Sequence, residues 1–80
     1  MVTVYFFAGL REAAKKAAME INWHPGLSAG LVRKTIALKM PEIDSLLKRS
    51  SMAVNDLIVS DEYLIPSGAD ISLLPPVSGG

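Results

Sequence analysis

The sequence predicts an α+β domain in which one main helix packs across one small mixed sheet. Its 80 residues leave room for one domain only, and 50% of them are hydrophobic, which is enough for one compact core. Strand-like segments lie at both ends of the chain and enclose a long helical pattern. The first and last of these segments are the most hydrophobic. We therefore expect those two strands to be neighbours at the centre of the sheet.

The apolar pattern predicts five strands, one main helix and two shorter helical segments. In chain order these are a strand over 1–7, a short helix over 10–19, a strand over 20–23, the main helix over 29–40, one helical turn at 44–47, and strands over 52–54, 57–59 and 70–74. The domain then spans residues 1–74, and residues 75–80 form an extended C-terminal tail.

In the first strand both alternating sets of side chains are largely apolar, so we expect partial cover on both of its faces. The two sets are Val2, Val4 and Phe6, and Thr3, Tyr5 and Phe7. The main helix is expected to begin after Ser28 as its N-cap. One side of that helix carries, at helical spacing, Leu31, Val32, Thr35, Ile36, Lys39 and Met40. Asn55-Asp56 is a predicted hairpin turn, and Leu64 and Ile65 are expected in the core.

Composition excludes several classes of function. Lys plus Arg equals Asp plus Glu at eight each, which gives no electrostatic case for binding nucleic acid. Without cysteine there is no disulfide, thiolate metal site or cysteine nucleophile. No apolar run approaches the roughly 18 residues of a membrane span, and the N-terminus has no signal-peptide pattern. We expect a soluble cytoplasmic protein with no nucleic-acid or membrane partner.

The chain also has few groups that could bind a cofactor or metal. His24 is the only histidine and lies in a predicted turn without a second ligand. Gly26, Gly30 and Gly68 do not form a phosphate-binding loop. We therefore predict that the chain binds neither a cofactor nor a metal.

The last six residues are the most informative part of the sequence. Pro75 and Pro76 favour a stiff, extended segment. The terminal Gly79-Gly80 has no side chains to shield the carboxylate, so a narrow channel of a partner enzyme could reach it. The alternative is a small terminus without a role.

Three segments together resemble the small subunit of molybdopterin synthase: VYFFAGLRE (Val4 to Glu12), AVND (Ala53 to Asp56) and LLPPVSGG (Leu73 to Gly80). The resemblance spans nearly the whole chain, and the ending is its most specific part. It implies the ubiquitin-like β-grasp fold, which agrees with the predicted order of elements. Related chains often have Asn-Gly at Asn55-Asp56 and Gly-Asp-Glu at Gly68-Ala69-Asp70, and Gly30 is unusual for the helix.

The resemblance also implies a chemistry and a set of partners. An adenylating (E1-like) enzyme would use ATP and magnesium to activate the carboxylate of Gly80, and a sulfur donor would convert it to a thiocarboxylate. The large synthase subunit would then transfer the sulfur to a pterin precursor in molybdenum cofactor biosynthesis. Catalytic residues are expected on that subunit. The resemblance suggests an assembly of two small and two large subunits.

The resemblance assigns roles to particular residues of this chain. Gly80 carries the reacting group and Gly79 allows its close approach. An apolar patch that docks on both partners falls on Phe7, Ile58 and Leu74. The remaining contacts are Arg11 as a polar anchor, Pro75 and Pro76 as the lead-in, and Val77 and Ser78 against the channel wall. The alternative for the three apolar residues is core packing, and for Arg11 a solvated helix charge.

Three other functions remain open from the sequence. A ubiquitin-like modifier would use the same activated Gly80 to form isopeptide bonds with lysines of target proteins. A sulfur carrier of another pathway, such as thiamine synthesis, would share the thiocarboxylate. A passive interaction module would have an incidental Gly-Gly ending.

Overall fold

The computed structural model describes residues 1–76 of the chain. Five strands form one sheet, and the helical segments lie between them in sequence. The strands are Val2–Phe6 (β1), Ala18–Ile21 (β2), Ser51–Val54 (β3), Leu57–Val59 (β4) and Asp70–Leu74 (β5). The α-helices are Ala8–Ala14 (α1), Ala29–Lys39 (α2) and Asp44–Arg49 (α3), and a 3-10 turn, Pro41–Ile43, precedes α3.

The sheet has the order β2-β1-β5-β3-β4, with β1 and β5 parallel at its centre and all other neighbours antiparallel. Val4 lies opposite Ile71 and Phe6 opposite Leu73. The prediction that the first and last strands are central neighbours is confirmed. Because these strands are parallel, α1 and the segment after Leu74 both begin at the same end of the sheet.

The core lies between one face of this sheet and the helices. The larger side chains that are fully buried there are Phe6, Leu10, Ile36, Ile43, Leu47, Met52, Ile71 and Leu73. The expectation of cover on both faces of β1 is wrong. Val2, Val4 and Phe6 are buried, whereas Tyr5 and Phe7 on the opposite face are 39% and 44% exposed. No described element packs on that second face, which we call the outer face.

Helix α2 begins as predicted, because the Ser28 hydroxyl accepts a hydrogen bond from the backbone N–H of Leu31 at 3.2 Å. Its buried positions are Ala29, Val32 and Ile36. The side of α2 predicted from the sequence included more residues than the helix buries. Leu31 and Lys39 are exposed, because the buried stripe follows Ala29, Val32 and Ile36 and both residues lie outside it.

The predicted helix over 10–19 is wrong at its C-terminal end. Helix α1 stops at Ala14, and Lys15 takes the left-handed conformation (φ +61°) with its N–H bonded to the Arg11 carbonyl at 3.0 Å. Ala18 and Met19 then belong to β2. Pairing with β1 overrides the helix propensity of the alanine-rich segment.

The second strand is accordingly shifted from the predicted 20–23 to Ala18–Ile21. Trp23 lies beyond its end, half-buried, and its indole N–H donates to the Ile65 carbonyl at 2.7 Å. The ring therefore joins the edge of the sheet to the segment before β5.

The segment around residue 64 crosses the start of α2. Ser28 and Leu64 form an isolated antiparallel bridge, and Ile65 N–H donates to the Leu27 carbonyl at 2.8 Å. The prediction for Ile65 is confirmed, with 3% exposure. The prediction for Leu64 is wrong: it is 64% exposed, because successive side chains of an extended segment point to opposite sides.

The connector before β3 contains a 3-10 turn and α3, which is more helix than the single predicted turn. The side chain of Arg33, from α2, binds the C-terminal end of α3. The guanidinium donates to the carbonyls of Leu47 and Ser50 and to the Ser50 hydroxyl. It also forms an ion pair with Asp61 at 3.3 Å. The guanidinium thereby caps the C-terminus of α3, where the Leu47 carbonyl also accepts from the Ser50 N–H at 3.2 Å.

Candidate functional site

The outer face carries a row of residues that crosses four strands. The backbone register places Tyr5 opposite Ser72, Ser72 opposite Ala53, and Ala53 opposite Ile58. Residues paired in this way point to the same face of a sheet. Ile58 is 60% exposed at the β4 edge of the row, which excludes the core-packing interpretation for it.

A second row lies at the end of the sheet from which the tail leaves. Leu74 is two residues beyond Ser72 and is half-buried, opposite Ser51. Phe7 is two residues beyond Tyr5 and keeps an extended backbone (φ −121°, ψ 150°), so its side chain stays on the outer face. Its 44% exposure excludes full core burial.

The structure thus brings Phe7, Ile58 and Leu74 to one face, although they come from different parts of the sequence. Tyr5 joins them, and sequence analysis did not include it as a contact residue. The sequence could have indicated Tyr5, since it belongs to the same alternating set of side chains as Phe7. We call these four residues the outer patch. Contact between the outer patch and a partner stays a prediction.

Arg11 lies on α1, a few residues after Phe7 of the outer patch, but it belongs to a different part of the surface. It lines a shallow depression with Glu12, Lys15 and Lys16. All four side chains are exposed. The anchor role of Arg11 stays a prediction, and its neighbourhood is more basic than sequence analysis indicated.

The tail is described only at its start. Pro75 is half-buried and Pro76 is exposed. Val77, Ser78, Gly79 and Gly80 lie outside the described residues, so their assigned roles stay predictions. The boundary at residue 74 between domain and tail also stays a prediction.

The expectation that the chain binds no metal stays a prediction. Within residues 1–76 no three His, Cys, Asp or Glu side chains are grouped so that they could hold a metal ion. The exposed His24 has its Nδ1 3.0 Å from the neighbouring Pro25 carbonyl oxygen. Among these residues no helix is both long and apolar enough to cross a membrane.

Comparison of the sequence with known families gives one match that spans nearly the whole chain. Residues 4–80 match the model of the ThiS family. The molybdopterin synthase sulfur carrier subunit of Mycobacterium tuberculosis is 28% identical over 80 residues, which is 99% of this chain and 96% of that protein.

Solved structures agree on the fold. SAMP1 from Haloferax volcanii, a small archaeal modifier protein, has a TM-score of 0.85 at 21% identity and covers 99% of this chain and 98% of its own. A complex of subunits 1 and 2 of the molybdopterin-converting factor from Helicobacter pylori has a TM-score of 0.70 at 26% identity, covering 99% of this chain and 97% of that one. The five-stranded mixed sheet with its helices has the ubiquitin-like fold that the resemblance implied.

Proposed function

Because the chain belongs to the ThiS family, we propose that it is the sulfur-carrier small subunit of a molybdopterin synthase. The observation that carries the proposal is the position of the tail: it continues a central strand of the sheet and starts beside the exposed outer patch. A partner that covers the outer patch is thereby positioned to receive the C-terminus.

The proposed chemistry takes place on the carboxylate of Gly80. A carboxylate is a poor electrophile, so an oxygen of Gly80 first attacks the α-phosphorus of ATP, and pyrophosphate leaves. A sulfide equivalent from the sulfur donor then attacks the acyl carbon. AMP leaves, and the thiocarboxylate remains. In this proposal ATP and magnesium bind the adenylating enzyme, and this chain supplies the reacting group.

Sulfur transfer then depends on docking to the large subunit. The outer patch and Arg11 contact the partner, and Pro75 and Pro76 hold the tail extended toward it. Val77 to Gly80 enter a closed channel that protects the thiocarboxylate from hydrolysis. The Helicobacter pylori structure, a complex of subunits 1 and 2, supports a partner of this kind. We propose two small and two large subunits, working in the cytoplasm.

The test is the intact mass of the chain after incubation with an adenylating enzyme, ATP and a sulfur donor. We expect a mass gain equal to one sulfur replacing one oxygen in the full chain, and no gain in a matched chain that lacks Gly80. Transfer of that sulfur to a pterin precursor by the large subunit distinguishes this pathway from thiamine synthesis. The absence of any gain in the full chain would contradict sulfur carriage.

The second candidate function is a ubiquitin-like protein modifier. The fold similarity to SAMP1, at a TM-score of 0.85, favours it as a candidate. The adenylated Gly80 would then react with a lysine amine of a target, forming an isopeptide bond as AMP leaves. Covalent adducts of a tagged chain in lysate, lost on deletion of Gly80, would support this function.

A further inference from the structure

The charged residues near the two ends of the sheet differ, although the whole chain has eight basic and eight acidic residues. At the tail end Arg11, Lys15 and Lys16 share one depression, and among residues 1–76 Glu12 is the only acidic residue that lines it. All are exposed. The three cations and one anion give this depression a net positive charge.

The opposite end of the sheet carries a row of carboxylates on its outer face, although Glu20 also lines a depression with Lys39 and Met1. Glu20 lies opposite Thr3, and Thr3 opposite Asp70, so both carboxylates belong to one row of the outer face. Asp56 is in the adjoining turn, which is joined to Asp70 by hydrogen bonds of Asn55 at 2.9 and 3.1 Å. This row is four residues from the Phe7 row, about 13 Å along the strand.

The backbone at Lys15 is a second, independent observation. Its φ of +61° is the left-handed conformation that usually follows a helix as glycine or asparagine. A lysine there costs roughly 1 kcal/mol relative to glycine. The chain therefore keeps a cation at a position where a residue without a side chain would be more stable.

We propose that Lys15 and Lys16, together with Arg11, form a basic docking surface that directs the tail end of the carrier toward acidic protein surface around the tail-binding channel of its partners. This inference rests on the proposed function. On the outer face the carboxylate row lies at the far end and the basic depression lies at the tail end, so a partner meets a locally positive surface where the tail leaves. Such a field acts mainly on the rate and orientation of encounter.

An acidic protein fits this surface better than a nucleic acid does. The net charge of the chain is zero, and Glu12 interrupts the basic cluster. A polyanion that extended beyond the depression would meet the acidic row at the other end of the outer face. A local acidic surface on a partner would not.

The test measures association of the full chain with its adenylating enzyme by stopped-flow at several salt concentrations. We expect the double variant Lys15→Glu/Lys16→Glu to associate about tenfold more slowly at low salt. The difference should disappear near 1 M salt, where the Debye length is about 3 Å. Lys34→Glu is the control, since this exposed lysine lies on α2 and does not line the basic depression, and its rate should fall much less than that of the double variant.

Lys15→Gly separates the charge from the backbone conformation. We expect this variant to be more stable and yet to associate more slowly than the wild-type chain. Equal association rates for the wild type and the double variant, or an equal loss in Lys34→Glu, would overturn the inference. So would binding of a labelled single-stranded oligonucleotide that the double variant abolishes.

The outcomes also separate this inference from the proposed function. If the wild-type chain gains sulfur at Gly80 and the lysine variants associate at its rate, only the docking surface is wrong. If the wild-type chain neither binds the adenylating enzyme nor gains sulfur, the proposed function fails and the docking surface fails with it.

Discussion

Gly30 lies in the first turn of α2, where glycine normally weakens a helix. Its backbone N–H donates to the Asp61 carbonyl at 2.9 Å. A Cβ at this position would lie 3.2 Å from the Asp61 Cβ and 3.3 Å from its carbonyl oxygen. The neighbouring Ala29 N–H is bonded to the Tyr63 carbonyl at 2.9 Å, so the segment opposite is fixed at more than one point. Gly30 therefore permits a close approach that alanine would disturb.

We expect Gly30→Ala to lower the free energy of unfolding by about 1 kcal/mol, because the contact with Asp61 outweighs the gain in helix propensity. Urea denaturation measures the change. Gly9→Ala is the matched control: Gly9 is also helical, and nothing lies within 4 Å of its added Cβ. The control should gain stability. A stabilised Gly30→Ala would show that the Asp61 segment moves freely.

At the scale of the element, the hairpin between β3 and β4 turns through two residues with positive φ. Asn55 has φ +48° and Asp56 has φ +71°, which is the type I′ pattern. The Asn55 side-chain oxygen also accepts from the Asp70 N–H at 3.1 Å. The predicted turn is confirmed. Asn55 contributes a hydrogen bond, whereas no hydrogen bond of the Asp56 side chain is seen within residues 1–76.

Asp56→Gly should therefore raise the free energy of unfolding by roughly 0.5–1 kcal/mol, since glycine adopts this φ without steric cost. Asn55→Ala, at the adjacent position, should lower it, because it loses the bond to Asp70 and puts alanine in the left-handed region. Thermal unfolding of both variants measures these two changes in stability. A lower melting temperature for Asp56→Gly would mean that the Asp56 carboxylate has a role in the turn.

The boundary between α1 and β2 could not be predicted from the local sequence. Local composition around Ala18 favours helix, but its partner in the sheet is Tyr5, thirteen residues earlier. Pairing of that kind is not visible in a short window. The start of α2 was predictable because the Ser28 cap and the helix it begins are adjacent in the chain.

At the scale of the whole molecule, the central position of β1 and β5 followed from their hydrophobicity. The outer patch could not be derived in the same way. Its members Phe7, Ile58 and Leu74 were named from the resemblance, and Tyr5 was missed. An apolar side chain on an uncovered face has the same local sequence signature as one in the core. Only the register of four strands shows that they share one exposed surface.

Because the outer-patch side chains are exposed, their truncation should weaken partner binding more than it lowers the stability of the fold. Phe7 is 44% exposed and follows β1, so we expect Phe7→Ala to cost the fold less than about 1 kcal/mol. Its ring would be central to a partner interface, and its loss should weaken binding to the large subunit roughly tenfold or more. Titration calorimetry with the large subunit measures the affinity, and urea denaturation measures the stability.

Leu38→Ala is the control for this experiment. Leu38 is 80% exposed on α2, on the helical side of the sheet, so its truncation removes a similar apolar surface away from the outer patch. We expect its affinity for the large subunit to equal that of the wild-type chain. If Leu38→Ala weakened binding as much as Phe7→Ala, docking would depend on apolar exposure in general and not on the face beside the tail. Unchanged binding in both variants would remove the outer patch from the interface altogether.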